Sequence, residues 1–348
     1  MPIETVDLVS SQAVTEREEA DSLPEIFWEN TKLRPRVGIE AAVRRIQWFF
    51  ADPRKVASAR QSFKTYATVP RIALPDPLRP RDPMPPFDQV VLGRRSALLA
   101  GSGPVFSARP VPLEHLADLL YFTYGVVRTP APADARPDAI PAPAPGAPDP
   151  SPDDTAPPRS DAQPDLVGEQ KARAFARARA QAAEVRRRVA PSGGGLYPLE
   201  LYALAVNVKG LEPGVYHYNA FGHHLEQLRA ADAAAARAEV DRLVTTGLNY
   251  EGVALVLVIT AVPLRTSFKY GDRGYRLLLA ESGHAAQNAY LAATALGVSA
   301  CAIAGFYDDE VNRALAINGL DEFAAYVMVL GLPLGDGEAA TEEGVAGG

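Results

Sequence analysis

The chain has 348 residues, 47% of them hydrophobic, with a net charge of -7 and one cysteine, Cys301. The apolar fraction supports a sizeable core in one large or two modest domains, and the acidic balance with scattered basic residues excludes a sequence-independent nucleic-acid partner. A single cysteine excludes an intrachain disulfide and a cysteine-built metal site, and the N-terminus lacks the basic and apolar stretches of a secretory signal, so a cytoplasmic location is expected.

Residues 1–22 are polar and acidic without periodicity, and residues 336–348 are Gly, Ala and Glu; both read as loose tails. Residues 23–90 read as a small N-terminal accessory region. Within it, Ile39 to Phe50 has apolar residues at helical spacing, and Val69 to Pro86 is proline-rich and extended. Residues 91–335 read as the main domain, interrupted by an insert at 128–165. Between Arg128 and Pro164 lie 12 of the 31 prolines, so this stretch is expected to be solvated and extended.

In the main domain, Leu113 to Tyr124 has the i, i+3, i+4, i+7 spacing of a helix, with Gly125 as its C-cap. Gly168 to Val189 reads as an Ala/Arg-rich helix whose Arg173, Arg177, Arg179, Arg186, Arg187 and Arg188 form a solvated basic face. Strands are expected at Leu199–Val208, Gly214–Tyr218 and Val253–Val262, with a helix from Asp232 to Val244. Val253 to Val262 is the longest apolar run, short of the roughly 20 residues that cross a bilayer. The nearly apolar Tyr275 to Leu296 predicts a helix buried on most faces or lying in a subunit interface. After it come a strand at Val298–Ala304, a turn at Gly305, a short helix capped by Asp308 or Asp309, and a strand at Phe323–Leu330. The class is α+β or α/β, around one mixed sheet.

Three places can carry chemistry. In Pro191-Ser192-Gly193-Gly194-Gly195 the missing Cβ atoms let backbone N–H groups face a flat ring or an anion, although glycine runs also serve as surface loops. Arg94, Arg95 and Ser96 precede an apolar run that could open a helix; forked guanidiniums beside a hydroxyl suit a phosphate, or are solvated charge. Lys269 and Tyr270 follow a buried strand, where loops line clefts, and Lys269 is one of six lysines. A desolvated amine can lose its proton as a guanidinium cannot, while an ordinary surface lysine beside a packing tyrosine gives the same letters. The histidines, His115, His217, His223, His224 and His284, have no metal-ligand spacing. His223 and His224 are expected in a turn, pointing apart, and His284 hydrogen-bonded on the buried helix; no metal is expected. The chain lacks GxSxG, GxxxxGK[ST] and a GxGxxG after a first strand.

Taken together, VPRIALPDP, GRRS, PSGGGLYPLELY with GLEPGVYHY, KYGDRGYRLLLAESGHAAQNAYLAATALG, ACAIAGFYDDEV and LGLP, in that order over about residues 68–333, resemble the SagB-type dehydrogenases within the nitroreductase-like flavoprotein superfamily. The resemblance implies an α+β, nitroreductase-like fold with a mixed central sheet flanked by helices, and FMN held at the interface of a homodimer. Carried over by position, it implies that Arg94, Arg95 and Ser96 hold the phosphate and ribityl chain. Pro191, Ser192, Gly193 and Gly194 lie along the ring, Ala304 and Gly305 present backbone near flavin N5, and Gln287 and Asn288 are further contacts. Lys269 and Tyr270 match the base and orienting pair of members that oxidise azolines to azoles in peptides. The substrate is then a small molecule or a peptide, with biosynthetic partner proteins. The chain departs from the family at Leu98, where a further arginine is frequent, and in the insert. An NAD(P)H-dependent nitroreductase or quinone reductase, and a flavin-containing scaffold subunit, are the alternative readings.

Overall fold

A strand buried on both faces needs no polar alternation, and Leu255 to Ala261 is such a strand: every residue from Leu to Ala in LVLVITA is buried. It is β7, near the middle of the fold. The structure, a computed structural model, describes residues 39–52, 63–77, 83–97, 105–127, 187–244 and 249–335, with Leu23, Phe27, Trp28, Thr31, Lys32, Arg79 and Leu99. The expected tails, the 128–165 insert and nearly all of the Ala/Arg-rich helix expected at Gly168–Val189 lie outside the described residues.

Seven strands form one sheet in the order β1-β6-β5-β3-β7-β9-β8. They are β1 (Arg71–Ala73), β3 (Leu199–Ala205), β5 (Gly214–Asn219), β6 (His224–Ala230), β7 (Leu255–Ala261), β8 (Ser299–Ile303) and β9 (Phe323–Gly331). Each pairing between these strands is antiparallel. The parallel element lies at the margin, where Ser96 bridges Ala300 on the outer edge of β8. A second, two-stranded parallel sheet joins β2 (Val111–Pro112) to β4 (Val208–Lys209). The helices are α1 (Ile39–Ala51), α2 (Phe87–Gly93), α3 (Leu113–Tyr124), α4 (Ala233–Leu243), α5 (Leu264–Tyr270), α6 (Arg273–Ala295) and α7 (Asp308–Ala314). The class is α+β.

The strand pleat sorts side chains to two cores. Leu201, Ala203, Leu257 and Ile259 pack with Leu116 and Leu120 of α3 and Leu278, Ala285 and Ala289 of α6. Tyr202, Leu204, Val256 and Val258 pack on the other face with Val240 and Leu243 of α4 and Val311 of α7. Burial of this kind stabilises by about 25 cal/mol per Å² of apolar surface, so two covered faces give the sheet its fixed register. Gly125 ends α3 as expected, for a steric reason: a Cβ there would lie 2.6 Å from Tyr121 Cδ2. At α4, Asp232 accepts from the Ala235 N–H at 2.7 Å, an ordinary N-cap.

Several expectations need correction. His224 opens strand β6 instead of a turn; only His223, at φ 48, has the left-handed backbone, and its ring is buried between the Tyr218 hydroxyl and the Pro75 carbonyl. Arg187 to Val189 are not helical. Arg188 bridges Val126 and is buried, its guanidinium over the Tyr124 ring at 4.6 Å, so it is no part of a solvated face. Helix α7 has Tyr307 at its N-cap, with Asp308 and Asp309 inside the first turn, where they still complement the helix dipole. His284 is exposed on α6. That helix buries Leu278, Ala285 and Ala289 but leaves Tyr275, Leu279, Ala280, Gly283, His284 and Gln287 on an outer face.

Candidate active site

The loop before β3 and the helix after β7 meet because those two strands are paired, Leu199 opposite Ala261. Gly193 to Gly195 make a single 3₁₀ turn in which Gly194 has φ 71 and ψ 16, a left-handed backbone that glycine adopts without the cost a Cβ imposes. A Cβ on Gly194 would lie 2.5 Å from the Tyr270 hydroxyl and 2.7 Å from Lys269 Nζ. The glycine therefore abuts the two polar tips with nothing between them. A Cβ on Gly193 would meet Leu277 of α6 at 3.1 Å.

Lys269 and Tyr270 do not sit in a loop. They occupy the last turn of α5, whose C-cap is Gly271, and Lys269 is buried while Tyr270 is half-buried. Burial lowers the Lys269 amine from its ordinary value and raises the Tyr270 phenol. Both shifts have the same cause, since water that would solvate the charged form is excluded. The pair thus holds a depressed amine beside a phenol that keeps its proton. Gly194→Ala is expected to push these tips apart and to cost about 1–2 kcal/mol of backbone strain. Displacement of reacting groups by about 1 Å is worth roughly 100-fold, so turnover should fall far more than thermal stability. Parallel melting and activity measurements check this, and equal small losses in both would refute it.

Behind the turn stands a buried carboxylate. Glu281 of α6 accepts from the Tyr124 hydroxyl, and burial pushes its carboxyl up to about 7 against the opposing influence of Tyr124, Ser192, Arg188 and the Gly193 N–H. Its Oε2 meets no partner with good hydrogen-bond geometry, although Ser192 and Gly193 are near enough to favour the ionised form. Tyr124, also buried, is held well above its usual range first by burial and then by Glu281. The Ser192 hydroxyl in turn accepts from the Tyr197 N–H at 2.8 Å, which fixes the start of β3. Pro191 is exposed at the entry to the turn.

The segment Arg94, Arg95 and Ser96 meets the same long helix elsewhere, at Tyr290. They follow the C-terminus of α2, and the described residues just after them, Ala97 and Leu99, are not helical, so the expected helix does not open at Ala97. What orders them instead is the edge of β8: Ala97 N–H donates to the Ala300 carbonyl at 2.9 Å, and Ser96 Oγ lies 3.2 Å from the Tyr290 hydroxyl. Tyr290 also accepts from the Ala302 N–H at 2.6 Å and has the Arg94 guanidinium 5.3 Å above its ring. Arg95 and Ser96 are exposed, and Arg94 is half-buried. Ala304 and Gly305 follow the last residue of β8 that pairs with β9, Ile303, leaving their backbone outside the sheet. Gln287 is exposed on α6, while Asn288 turns inward and donates to the Thr123 carbonyl at 3.5 Å.

The named residues thus form two groups. The glycine turn with Lys269 and Tyr270 touches α6 at Leu277, and Arg94 with Ser96 touches it at Tyr290. At about 1.5 Å per residue these contacts are about 20 Å apart along the helix. Sequence reasoning did not single out Glu281, Tyr124 or the aromatic residues Phe49 and Phe50 near Lys269. A lone carboxylate within LLLAESGHAA was the available signal for the first of these. Among the described residues no cluster of three His, Cys, Asp or Glu could hold a metal, and no helix is long and apolar enough to cross a membrane.

Comparison with known proteins agrees with this architecture. MJ1384 of Methanocaldococcus jannaschii, named for the nitroreductases, is 38% identical over 144 residues, 40% of this chain and 68% of its own. The microcin B17-processing protein McbC of Escherichia coli is 32% identical over 136 residues, which span 38% of this chain and 49% of McbC. The trifolitoxin-processing protein TfxB of Rhizobium leguminosarum bv. trifolii is 27% identical over 146 residues, 41% of this chain and 39% of TfxB. A nitroreductase-type crystal structure from Anabaena variabilis superposes with a TM-score of 0.54 at 23% identity, covering 88% of this chain and 45% of that one. Fold and relatives put the chain among the α+β oxidoreductases. It belongs to the nitroreductase family, whose model matches residues 105–335 and whose members depend on a flavin.

Proposed function

We propose that the protein is an FMN-dependent dehydrogenase of the SagB type, oxidising a peptide-derived or other heterocycle, such as an azoline, to its aromatic form. One observation carries the reading: the Lys269 amine, buried and depressed, meets a floor cleared of side chains at Gly194, with the Tyr270 hydroxyl beside it. Aromatising an azoline takes a proton from one ring carbon and a hydride from its neighbour. FMN, when bound, supplies the hydride acceptor. Lys269 would take the proton, since burial lowers its amine and so favours the neutral form that can accept one. Tyr270 would hold that amine in line through its hydroxyl. The names of McbC and TfxB as processing proteins for microcin B17 and trifolitoxin support a peptide substrate, and with it partner proteins.

The donor set suits FMN. Arg94, with Arg95 and Ser96, would bind the phosphate and ribityl chain through a forked guanidinium and a hydroxyl. Pro191, Ser192, Gly193 and Gly194 would lie along the ring, Ala304 and Gly305 would offer backbone to its reactive edge, and Gln287 would contact it from α6. The separation of these groups along α6 supports a homodimer with shared sites. The midpoint between Leu277 and Tyr290 falls at Gly283 and His284, both exposed, and a Cβ on Gly283 would meet nothing within 4 Å. A two-fold axis there would set the partner's Tyr290 end beside this chain's Leu277 end. Tyr275 and Leu279, 37% and 50% exposed, supply apolar surface along the same stripe.

Anaerobic mixing of the FMN-loaded protein with a thiazoline peptide tests the reading. The flavin absorbance should bleach while a product lighter by two hydrogens forms in equal amount. Bleaching by NADPH with turnover of quinones, and none by the thiazoline, would instead establish the nitroreductase or quinone reductase alternative. Sedimentation of the loaded protein should give a dimer, and a monomer retaining FMN would remove the shared-site arrangement.

A further inference from the structure

Lys269 has an environment that the family-derived pair does not account for. Its Nζ lies 5.3 Å from the Phe49 ring centre, 4.7 Å from that of Phe50 and 5.0 Å from that of Tyr270. Two of these three rings come from α1, in the region that the sequence presented as accessory. The helix is seated by that same end: Trp48 and Phe49 pack on Phe268 at 5.7 and 5.9 Å, and Phe49 stands edge-on to Phe50. Of the described α1 side chains, Phe49 alone is buried, at 3% exposure, while Val43, Arg44, Arg45, Gln47 and Trp48 are exposed. A helix docked for stability would bury a stripe along its length. Among the described residues this one fully buries a single ring, Phe49, over the amine, with Ile46 half-buried one turn before it.

We propose that α1 is a wall of the reaction site and that Phe49 and Phe50 are positioning residues, enclosing the Lys269 amine and excluding water from it. This rests on the reading of Lys269 as the base. With Gly194 on one side and rings on the others, the amine has aromatic faces in place of a hydration shell. Two effects oppose each other. Ring faces attract an ammonium, whereas loss of water disfavours it, and full burial can displace a lysine by up to about 3–5 pH units. Desolvation wins here because no carboxylate answers the amine among the described residues. The charged and titratable groups on the surrounding elements are engaged elsewhere or carry like charge. Arg45 of α1 reaches the Ser267 carbonyl, and Arg265 of α5 pairs with Glu200. Arg273 and Arg276 of α6 bond to Thr31 and Trp28, Glu281 bonds to Tyr124, and Asp272 is exposed before α6. Arg44 faces outward, and Tyr270 stays protonated.

The test uses the full chain with FMN bound and reads Lys269 directly, by the pH dependence of its acetylation with acetic anhydride, followed by mass spectrometry. Phe50 is 37% exposed, so Phe50→Ala opens the enclosure with little demand on folding. It should raise the labelling midpoint by about one unit, and Phe50→Leu, which restores apolar cover, should return it to the wild-type position. The acid limb of kcat/KM should move with the midpoint, lowering turnover near pH 7 roughly 10-fold with the flavin spectrum unchanged. A Phe50→Ala midpoint equal to wild type would overturn the proposal even if Lys269→Ala is inactive. A Lys269→Ala enzyme with full turnover would instead overturn the base assignment, while a shifted labelling midpoint would still establish the enclosure.

Discussion

Lys269→Met should lower oxidation of a thiazoline or oxazoline peptide by about 10²–10⁴-fold, the usual worth of a positioned general base. Flavin content and melting temperature should stay close to wild type. Methionine is chosen because it fills a similar volume among Phe49, Phe50 and Tyr270 while offering no proton acceptor. No ion pair or hydrogen bond to Lys269 is lost among the described residues, so the fold is not asked to leave a buried charge unpaired. Single-turnover flavin bleaching, anaerobic, separates the chemical step from binding. A Lys269→Met enzyme that bleaches at the wild-type rate would remove the proton-abstraction role. One that loses its flavin would instead make Lys269 part of the cofactor site.

Much of this architecture could be read from letters. The 3.6-residue spacing in LEHLADLLYFTY and the continuous apolar run of LVLVITA correspond to α3 and β7, because burial against a core is the force that patterns both. The strand His224–Ala230 was hidden for a physical reason. Its sequence HLEQLRA is polar, and Glu226 can be buried in it because partners distant in sequence, Thr65 and Tyr66 among them, donate hydrogen bonds to the carboxylate. Helix α5 was likewise hidden, since LRTSFKY is only seven residues and its end is set by Gly271. The meeting of Gly194 with Lys269 depends on β3 pairing with β7, a contact that no local pattern encodes. Phe49 and Phe50 read only as the apolar end of a helix, since nothing in their own segment points to a lysine more than two hundred residues away.

The two groups of residues along α6 have a consequence for the Arg94 cluster. Arg94 rests on Tyr290, and Tyr290 holds both Ser96 and the Ala302 N–H of β8. One phenol therefore ties the proposed phosphate anchor to the strand that leads into Ala304 and Gly305. Glu281 has the matching place in the other group, accepting from Tyr124 of α3 and lying near Ser192 and Gly193 of the glycine turn. Helix α6 is the common frame for both, with its inner face packed on the sheet.

The largest expected loss of stability comes from Glu226→Ala, at about 3–5 kcal/mol, because it leaves several buried groups without their partner. Glu226 is fully buried and accepts from the Thr65 hydroxyl at 2.6 Å, the Tyr66 N–H at 3.0 Å and Asn219 Nδ2 at 3.1 Å, with His217 Nδ1 at 2.8 Å. His217 meets Glu200 on its other nitrogen at 3.3 Å, and Glu200 pairs with Arg265 at 2.6 Å. Although burial opposes it, hydrogen bonds led by that from His217 hold the Glu226 carboxyl down at about 2, and Arg265 with His217 does the same for Glu200. His217 is raised above its ordinary value despite burial, by bonds from Glu200 and Glu226. The carboxylates contribute stability above their unfolded value of about 4.3, lost as pH falls towards 2. His217 contributes fully below its unfolded value of about 6.5, and that part is lost as pH rises through its higher folded value. Thermal melts across pH should therefore show wild type most stable between about pH 5 and 6.5, and Glu226→Ala should flatten both flanks. Hydrogen exchange at the Tyr66 amide should quicken in the same variant, since its acceptor is gone. A variant that melts within about 1 kcal/mol of wild type would mean that the segment Phe63 to Tyr66 is held to the sheet mainly by its other contacts, among them the Lys64 N–H on Glu200, Lys64 Nζ on Glu322 and Tyr202, and Phe63 on Phe221.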